Sequence, residues 1–334
     1  MNARKSLFMA RKLLRDLNAN RRLEVNMDNP PGKLGYYYIK FEEKRSKLNR
    51  LIHSLDEEGI PLNTTYIDVT PPRLHYYPIS IGQYGLALFH TWLATGDTAK
   101  REHFLRVANW FARNAREEKE QGVYWLTDVP KPEFGVTAPW KSAFVQGRGI
   151  SILTRAWQLT GDDRYLHLAT GALLPFTRDI SEGGVSVDRA AGETFYEEYV
   201  AAAPTRVLDG HAFSLFGLLD YTRAVPDALH PAGHRLARRL FDEGIEGLVR
   251  QLPRFDLGFW LRFNRCDLPG YPQDDPCTIG YLRLVRRQLL VLHRVTGREE
   301  LLHFARACER HDALPNILKM YRLKLRALKK LDRV

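Results

Sequence analysis

The sequence predicts a mainly α-helical fold in which antiparallel helix pairs repeat along the chain. An apolar helical run, a Thr-Gly break and a second helical run recur in "GLALFHTWLATGDTAKREHFLRVANWFARN", "GISILTRAWQLTGDDRYLHLATGALLPF" and "RRQLLVLHRVTGREELLHFARACER". In each break the glycine supplies a left-handed cap that ends the first helix. The threonines are Thr95, Thr160 and Thr296, and the second interval of 136 residues is close to twice the first of 65, which predicts a fourth pair turning near residue 228. Because one pair cannot bury its inner face alone, the pairs should stack into a curved or closed array.

The chain ahead of the first pair predicts shorter elements. Residues 23–35, with two prolines and a glycine in a polar context, predict a linker. The segment "YYYIKF" predicts a strand, "EEKRSKLNRLIHSLDEEG" a helix, and "IPLNTTYIDVTPPRLHYYP" an extended stretch that leads into the first pair.

Three segments between the pairs, 122–140, 181–206 and 253–280, are rich in Gly, Pro and aromatic residues and are not helical in pattern. Within them "GVYWLT" and "GGVSV" predict short β-hairpins. If the helices form a ring, these segments gather at one end of it, where loops can carry chemistry on a rigid scaffold.

The formal charge of +11 is located at the two ends of the chain. Residues 1–22 and 319–334 each carry +6, which leaves −1 for residues 23–318, so no nucleic-acid partner is expected for the body. Both ends have helical periodicity; the apolar positions are Leu7, Ala10, Leu14 and Leu17 in the first and Tyr321, Leu325 and Leu328 in the second. Two interpretations stay open: solvated helices with a docked apolar stripe, or attachment to an anionic membrane surface or a polyanionic glycan.

Sequence signals for a compartment are few. No apolar run approaches the roughly 18 residues of a membrane span, and the N-terminus lacks the continuous apolar stretch of a signal peptide. Cys266, Cys277 and Cys308 are odd in number and lack C-x-x-C spacing, which indicates reduced thiols. We therefore expect a cytoplasmic protein, with peripheral contact at the inner face of the membrane left open by the basic ends; a homodimer is also compatible with the sequence.

The segment "TFYEEYVAAAPTRVLDGHAFSLFGLLDY" concentrates the side chains that could do chemistry. Adjacent buried carboxylates, here Glu197 and Glu198, push their pKa values apart, which can prepare one as a base near neutrality. Tyr196 and Tyr199 could hydrogen-bond to them or donate a proton. On local evidence alone, an exposed polar turn is the simpler interpretation of the tetrapeptide. Tyr281 occupies the corresponding position before the last pair, where a packing role is the alternative.

A second helix entry, "APWKSAFVQGRGIS", carries Trp140, Gln146 and Arg148. A tryptophan can stack on a sugar face and an arginine can hold a carboxylate, although a core tryptophan and a solvated arginine are the simpler interpretation. The histidines have no paired spacing such as HExxH, so we expect no metal site and no cofactor, with a structural calcium ion left open. The glycines of "QGRG" do not follow a strand, which argues against a nucleotide site.

Four segments in order resemble the D-glucuronyl C5-epimerase family, whose members act on heparosan, heparan sulfate and related uronate polymers. They are "DEEGIPLN" with "YYPISIGQYGLALF", "APWKSAFVQGRGISILTRAWQLTGD", "FYEEYVAAAPTRVLDGHAFSLFGLLD" and "GYLRLVRRQLLVLHRVTG", and they span roughly residues 33–310. The resemblance implies an incomplete or closed (α/α)-toroid of helix hairpins with short β-hairpins at the cleft end. We divide the chain into a basic N-terminal helix and linker (1–32), a catalytic toroid (33–318) and a basic C-terminal tail (319–334).

The resemblance also implies roles for single residues. Glu198 matches the family's catalytic glutamate, Tyr199 the tyrosine beside it, and Tyr281 the tyrosine before the last pair. Substrate contacts are expected from Tyr84, Trp140, Gln146, Arg148, Tyr196, Arg206, Asp209 and Arg265. Asp209 stands where the animal enzymes carry Asn within "VLNG". The implied activity is inversion of C5 in hexuronate residues of an acidic polysaccharide, by removal of a proton and return of one on the opposite face.

The sequence departs from the family pattern at several positions. Phe263 replaces a tyrosine, Leu282 and Val285 replace histidines, and Arg265 is one position away from the family's arginine. Two alternatives stay open. A uronate polysaccharide lyase begins β-elimination with the same C5 deprotonation, and a catalytically weakened glycan-binding protein would explain the missing side chains.

Overall fold

Four antiparallel helix pairs form the body of the protein in the part that the structure covers. The computed structural model describes residues 14, 16–19, 21–27, 30, 32–43, 52–65, 69 and 71–331. The pairs are α1 (Pro78–Thr95) with α2 (Thr98–Asn114), α3 (Ala143–Thr160) with α4 (Asp163–Gly171), α5 (Leu208–Ala224) with α6 (Pro231–Gln251), and α7 (Ile279–Thr296) with α8 (Glu299–His311). A further helix, α9 (Leu314–Lys330), follows. The predicted fourth pair, α5 with α6, is confirmed and turns over residues 225–230.

Glycine ends the first helix of three pairs, as the Thr-Gly pattern predicts. Gly96, Gly161 and Gly297 have φ angles of 72°, 71° and 70°, the left-handed region that glycine enters without a steric cost. Each donates its N–H to the carbonyl four residues earlier, which satisfies the helix end. The remaining pair turns differently: Pro231 opens α6, and the His230 ring accepts the N–H of Gly233.

The first helix of each pair lies in an inner layer, and the second helix covers it from outside. Helices α1, α3, α5 and α7 pack side by side in chain order. Residues 143–156 of α3 are all buried, whereas the outer helix α2 buries only one face. Gly147 and Gly217 let α3 and α5 approach closely, since a Cβ on Gly217 would lie 2.4 Å from the Gly147 Cα. A cavity lies between α1 and α7, so the array is the predicted toroid in its incomplete form.

Residues 32–41 cross the carboxyl ends of the inner helices and close that end of the array. The Gly32 N–H donates to the carbonyl of Arg223 at 2.8 Å, and the Leu34 N–H donates to Gln158 Oε1 at 2.9 Å. The Tyr37 N–H donates to Nε2 of His90 at 3.0 Å. The strand predicted over 36–41 is wrong. Among the described residues this segment forms a single bridge, from Ile39 to Val25, because the N–H groups of Tyr37 and Phe41 donate to the His90 ring of α1.

Short strands make three small antiparallel sheets in the described residues. β1 (Ile52–Leu55), β2 (Pro61–Thr64) and β3 (Leu74–Tyr76) form one, with Leu55 opposite Pro61 and Leu62 opposite Tyr76. β4 (Arg116–Glu118) pairs with β5 (Gly122–Tyr124), and β6 (Ser186–Val187) with β7 (Phe195–Tyr196), which confirms both predicted hairpins.

The helix predicted over residues 42–59 is wrong at its carboxyl end, where β1 forms; residues 44–51 lie outside the described part. The physical reason is the turn that follows. The Asp56 carboxylate accepts the N–H groups of Glu58 and Ile60, and Gly59 adopts a φ of 81°, which reverses the chain into β2.

The apolar stripes predicted for the two chain ends differ in outcome. Leu7 and Ala10 lie outside the described residues; Leu14 is 65% exposed, and Leu17 packs against the core. At the other end the predicted tail begins at residue 319, but the helix that contains it, α9, begins earlier, at Leu314. Leu328 of the predicted stripe is buried. None of the helices in the described ranges is long and apolar enough to cross a membrane.

A buried ion pair joins α3 to α5. The side chains of Arg155 and Asp220 are fully buried, and Arg155 Nη1 lies 2.6 Å from Asp220 Oδ2. The Arg155 guanidinium also donates to the carbonyl of Gly35. The pair therefore ties two inner helices to the crossing segment.

We expect Asp220→Ala to lower the free energy of unfolding in urea by about 3–5 kcal/mol, because it leaves the Arg155 charge buried without its partner. The control is Asp242→Ala, which removes the ion pair between Asp242 and Arg238, whose side chains are 55% and 65% exposed. The free energy of unfolding should fall by about 0.5 kcal/mol or less in this variant. Equal effects of the two variants would contradict the role given to the buried pair.

Candidate active site

A cavity of about 910 Å³ occupies the open side of the toroid. Along α1 its wall runs from Ile79 to Ala94, roughly 22 Å at 1.5 Å per residue, so the cavity is a groove and not a closed chamber. The rest of the wall comes from α3, α5, α7, the segment before α5 and the N-terminal segment; its main contributors there are Phe144, Glu198, Tyr199, Asp209, Phe213, Gly280, Tyr281, Leu284, Tyr36, Lys40 and Phe41.

The structure brings Glu198, Tyr199, Asp209 and Tyr281 together on this wall. Asp209 lies in the first turn of α5 and Tyr281 in the first turn of α7, while the two others lie in the segment between β7 and α5. The amino ends of the inner helices therefore face one end of the groove, as the arrangement of inter-pair segments predicts.

Glu198 is 7% exposed and lies against the start of α5. Gly210 makes this approach possible, because a Cβ there would lie 2.6 Å from Glu198 Oε2. Burial raises the pKa of Glu198 well above its ordinary value, and the negative charge of Asp209 raises it further. A hydrogen bond from Tyr199 and the charge of Lys131 act in the opposite direction. Glu198 therefore holds a proton more readily than an ordinary glutamate does, as is common for acids and bases at functional sites.

The hydroxyl of Tyr281 is fixed by two backbone groups. It accepts the N–H of Asp209 at 2.9 Å and donates to the carbonyl of Phe263 at 3.1 Å. Burial raises the pKa of this phenol well above its ordinary value, and the Asp209 charge adds to the increase. The side chain is therefore a neutral phenol that can donate a proton.

Glu197, the neighbour of Glu198, has a different environment. It is fully buried, and its carboxylate accepts the N–H and hydroxyl of Thr205 and the N–H of Arg206, at 2.5–3.1 Å. Burial raises its pKa to about 7, against the effect of these hydrogen bonds. Glu197 does not line the groove, so its contacts are those of a structural carboxylate.

Tyr199 is held by a group of residues from the 122–140 segment. Its ring stacks on Phe134 with 4.9 Å between centroids and lies 5.3 Å from Trp140, whose indole N–H donates to the Val129 carbonyl. The Lys131 ammonium lies 5.3 Å from the centroid of Tyr199 and 2.9 Å from Glu133, and both charged side chains are 8% exposed.

Sequence reasoning missed this buried charge pair next to the site. The available signal was "PKPEFG", in which two opposite charges flank a proline inside an inter-pair segment that was already predicted to lie at the cleft.

Apart from the arginines, four residues expected at the substrate lie outside the groove lining, and Trp140, which is buried beside Tyr199, is one of them. Tyr84 packs edge-on against His103 of α2, because one residue along a helix turns by about 100°, and it is the preceding Gln83 that faces the groove. The Gln146 amide donates to two backbone carbonyls in the core, and the Tyr196 hydroxyl donates to the carbonyl of Leu240.

The three predicted arginines also lie outside the groove lining. Arg206 makes ion pairs with Asp188 at 2.6 Å and Asp267 at 2.7 Å. Arg265 donates to the Gln251 side chain. Arg148 is fully buried behind the wall, where the nearest of four surrounding aromatic rings, that of Phe213, lies 4.2 Å from the guanidinium carbon.

Metal ligands show no clustering in the described ranges, where no group of three or more His, Cys, Asp or Glu side chains could hold an ion. The cysteines Cys266, Cys277 and Cys308 are buried free thiols.

Comparison with known proteins identifies relatives of the chain. Residues 121–309 match the model of the D-glucuronyl C5-epimerase C-terminus. A D-glucuronyl C5-epimerase of Caenorhabditis elegans is 32% identical over 170 residues, which cover 48% of this chain and 27% of that protein. An uncharacterized protein of Methanocaldococcus jannaschii is 25% identical over 206 residues, 61% of this chain and 62% of that protein. The chain thus spans less than two thirds of either relative.

The solved structures that match the chain are more distant. A polysaccharide lyase has a TM-score of 0.44 and 14% identity, covering 70% of this chain and 58% of that one. The unsaturated glucuronyl hydrolase of Bacillus sp. GL1 has a TM-score of 0.44 and 17% identity, with coverage of 70% and 60%. Such distant matches assign no function. The family match, in contrast, covers more than half of the sequence and includes Glu198, Tyr199, Asp209 and Tyr281. The chain belongs to the D-glucuronyl C5-epimerase family.

Proposed function

We propose that the protein inverts C5 of hexuronate residues, of the D-glucuronate to L-iduronate type, in an acidic polysaccharide such as heparosan. The observation that carries this proposal is that a buried carboxyl group with a raised pKa, Glu198, and an anchored neutral phenol, Tyr281, line one groove. Inversion needs two such groups, since a proton must leave one face of the sugar ring and return on the other.

In the proposed reaction, ionised Glu198 accepts the C5 proton, and the electrons of the C–H bond move toward the substrate carboxylate. Tyr281 donates its hydroxyl proton to C5 from the opposite face. Glu198 then releases its proton to solvent and the Tyr281 phenolate takes one up, which restores the starting state. Tyr199, with the Lys131 charge near its ring, stabilises the negative charge that develops.

The first test compares variants of the two adjacent glutamates, with heparosan as the substrate and deuterium oxide as the solvent. We expect Glu198→Gln to reduce C5 deuterium incorporation, read by NMR, by at least about 100-fold, because the base is lost. Its stability should be unchanged or higher, since a buried charge is removed. Glu197→Gln is the matched control and should instead lose about 1–3 kcal/mol of stability, because an amide cannot accept all the hydrogen bonds from Thr205 and Arg206.

If Glu197→Gln abolished exchange at full stability while Glu198→Gln stayed active, the two assignments would be reversed. Cleavage of the polymer with an unsaturated uronate absorbing in the ultraviolet would identify β-elimination instead of epimerisation. Binding of heparosan by the wild-type protein without any C5 exchange would indicate a glycan-binding protein.

Tyr281→Phe should separate exchange from inversion. The phenol is needed only on its own face, so the epimer whose C5 hydrogen faces Glu198 should still exchange with deuterium while inversion falls about 100-fold or more. The measurement is the ratio of deuterium incorporation to configuration change by NMR. Phe263→Tyr is a useful control, because it keeps an aromatic ring 5.1 Å from the Tyr281 ring and the backbone carbonyl that the Tyr281 hydroxyl contacts. Equal loss of exchange and inversion in Tyr281→Phe would contradict two-sided chemistry.

The pH profile should depend on Asp209. Glu198 must be ionised to accept a proton, so kcat/KM rises with pH as Glu198 deprotonates. Because the Asp209 charge raises the pKa of Glu198, Asp209→Asn should move this acidic limb to lower pH. Asp274→Asn is the control, since Asp274 pairs with Arg262 away from the groove and should leave the profile in place. A limb that moves to higher pH in Asp209→Asn would exclude the proposed coupling.

A further inference from the structure

The described residues of the two basic ends, which are far apart in sequence, come into contact in the fold. The Tyr321 hydroxyl of α9 donates to Asp16 Oδ2 at 3.3 Å. Arg283 of α7 donates to the carbonyls of Leu17 and Ala19, and its guanidinium pairs with Asp312 just ahead of α9. Residues 16–19 are therefore held between α7 and α9.

Exposed cations from both ends contribute to this part of the surface. Arg21 and Arg22 follow directly after the segment held by Arg283, and both are exposed. Four more cations lie on α9, at spacings of three and four residues that place them on one exposed face: Arg322, Arg326, Lys329 and Lys330. We call these six residues the basic face. The other cations of α9 are engaged, since Lys324 pairs with Asp275 at 2.5 Å and Lys319 lies over the Phe259 ring.

Two residues of the basic face also line the groove. Arg21 and Arg22 line the same cavity as Glu198 and Tyr281. Among the described residues, the cations on that wall are these two arginines and Lys40, and Lys40 pairs with Glu24 at 3.0 Å. The arginines of the catalytic end, Arg206 and Arg265, are engaged elsewhere. Arg21 and Arg22 therefore offer positive charge to a long polyanion on the groove wall, away from the catalytic end.

We propose that the basic face binds the part of an acidic polysaccharide that extends beyond the residue being epimerised. The proposal rests on the proposed function for its ligand, and it uses residues outside the family-matched region 121–309. Repeated carboxylates at regular spacing suit a row of exposed cations, and such contacts raise the rate and strength of association with a polyanion.

A membrane is the weaker interpretation of the same residues. A helix that lies in a bilayer surface needs a free apolar face opposite its cations. In α9 that face is already packed on the body, because Ile317, Met320 and Leu328 are buried. The exposed Leu314 and Leu318 lie at the amino end of the helix, away from its four-cation stretch.

Equilibrium binding of fluorescent heparosan tests the proposal without turnover, in a Glu198→Gln background. The helix variant replaces Arg322, Arg326, Lys329 and Lys330 by Gln, and the arm variant carries Arg21→Gln and Arg22→Gln. For heparosan of about 20 sugars we expect the Kd of the helix variant to rise about tenfold at 0.1 M salt and to depend less steeply on salt. For a tetrasaccharide the Kd of the helix variant should change less than about twofold, since the short ligand does not reach α9. The control, Arg235→Gln with Arg238→Gln, removes two exposed arginines of α6 and should change neither Kd.

Several outcomes would overturn the proposal. One is an unchanged Kd for the long polymer in both variants, and another is an equal loss for long and short ligands in the helix variant. A third is loss of binding to vesicles of phosphatidylserine and phosphatidylcholine with heparosan binding intact, which would assign the face to a membrane. If the wild-type protein binds long heparosan through these cations but never exchanges C5, the basic face stands and the proposed function fails.

Discussion

The candidate site depends on the hydrogen bonds that the carboxylate of Glu197 accepts. By accepting two backbone N–H groups and one hydroxyl from residues 205 and 206, this carboxylate closes the segment between β7 and α5 into a fixed loop. Arg206, at the end of that loop, has a φ of 43°, a strained value for a non-glycine residue that the surrounding hydrogen bonds must maintain. Glu197 is fully buried within this loop, whereas its neighbour Glu198 lines the groove. One adjacent acid holds the loop and the other is free for chemistry.

The incomplete toroid also determines the electrostatic environment of Glu198. Inner helices that pack side by side bring their amino ends to one end of the array, and the N–H groups there favour negative charge. Burial opposes that effect, and the proximity of Glu198 to Asp209 opposes it further, so the pKa of Glu198 rises. At the opposite end, the crossing segment and the Arg155–Asp220 pair close the array. The groove is therefore open on the side between α1 and α7, where a polymer could enter laterally.

Much of this was predictable from the sequence, and the failures have physical causes. Thr-Gly spacing predicted the helix pairs, because a left-handed cap is local chemistry that only a few residues tolerate. The residues near Glu198 were predictable from their place in the inter-pair segments and from family resemblance. Which arginines reach the groove was not predictable, since an arginine's environment is set by partners distant in sequence, such as Asp188 and Asp267 for Arg206. The same holds for β1, where a turn at Asp56 and Gly59 overrode a helical pattern.

The C-terminal helix is more closely connected to the site than its sequence position indicates. Lys324 pairs with the buried Asp275, whose backbone carbonyl accepts the N–H of Phe263 at 2.7 Å. The carbonyl of Phe263 in turn accepts the hydroxyl proton of Tyr281. At position 263 these contacts use only the backbone N–H and carbonyl. A phenylalanine there makes them as well as a tyrosine would. A polyanion bound along α9 would thus lie on a helix that is anchored, through three contacts, to the proposed proton donor.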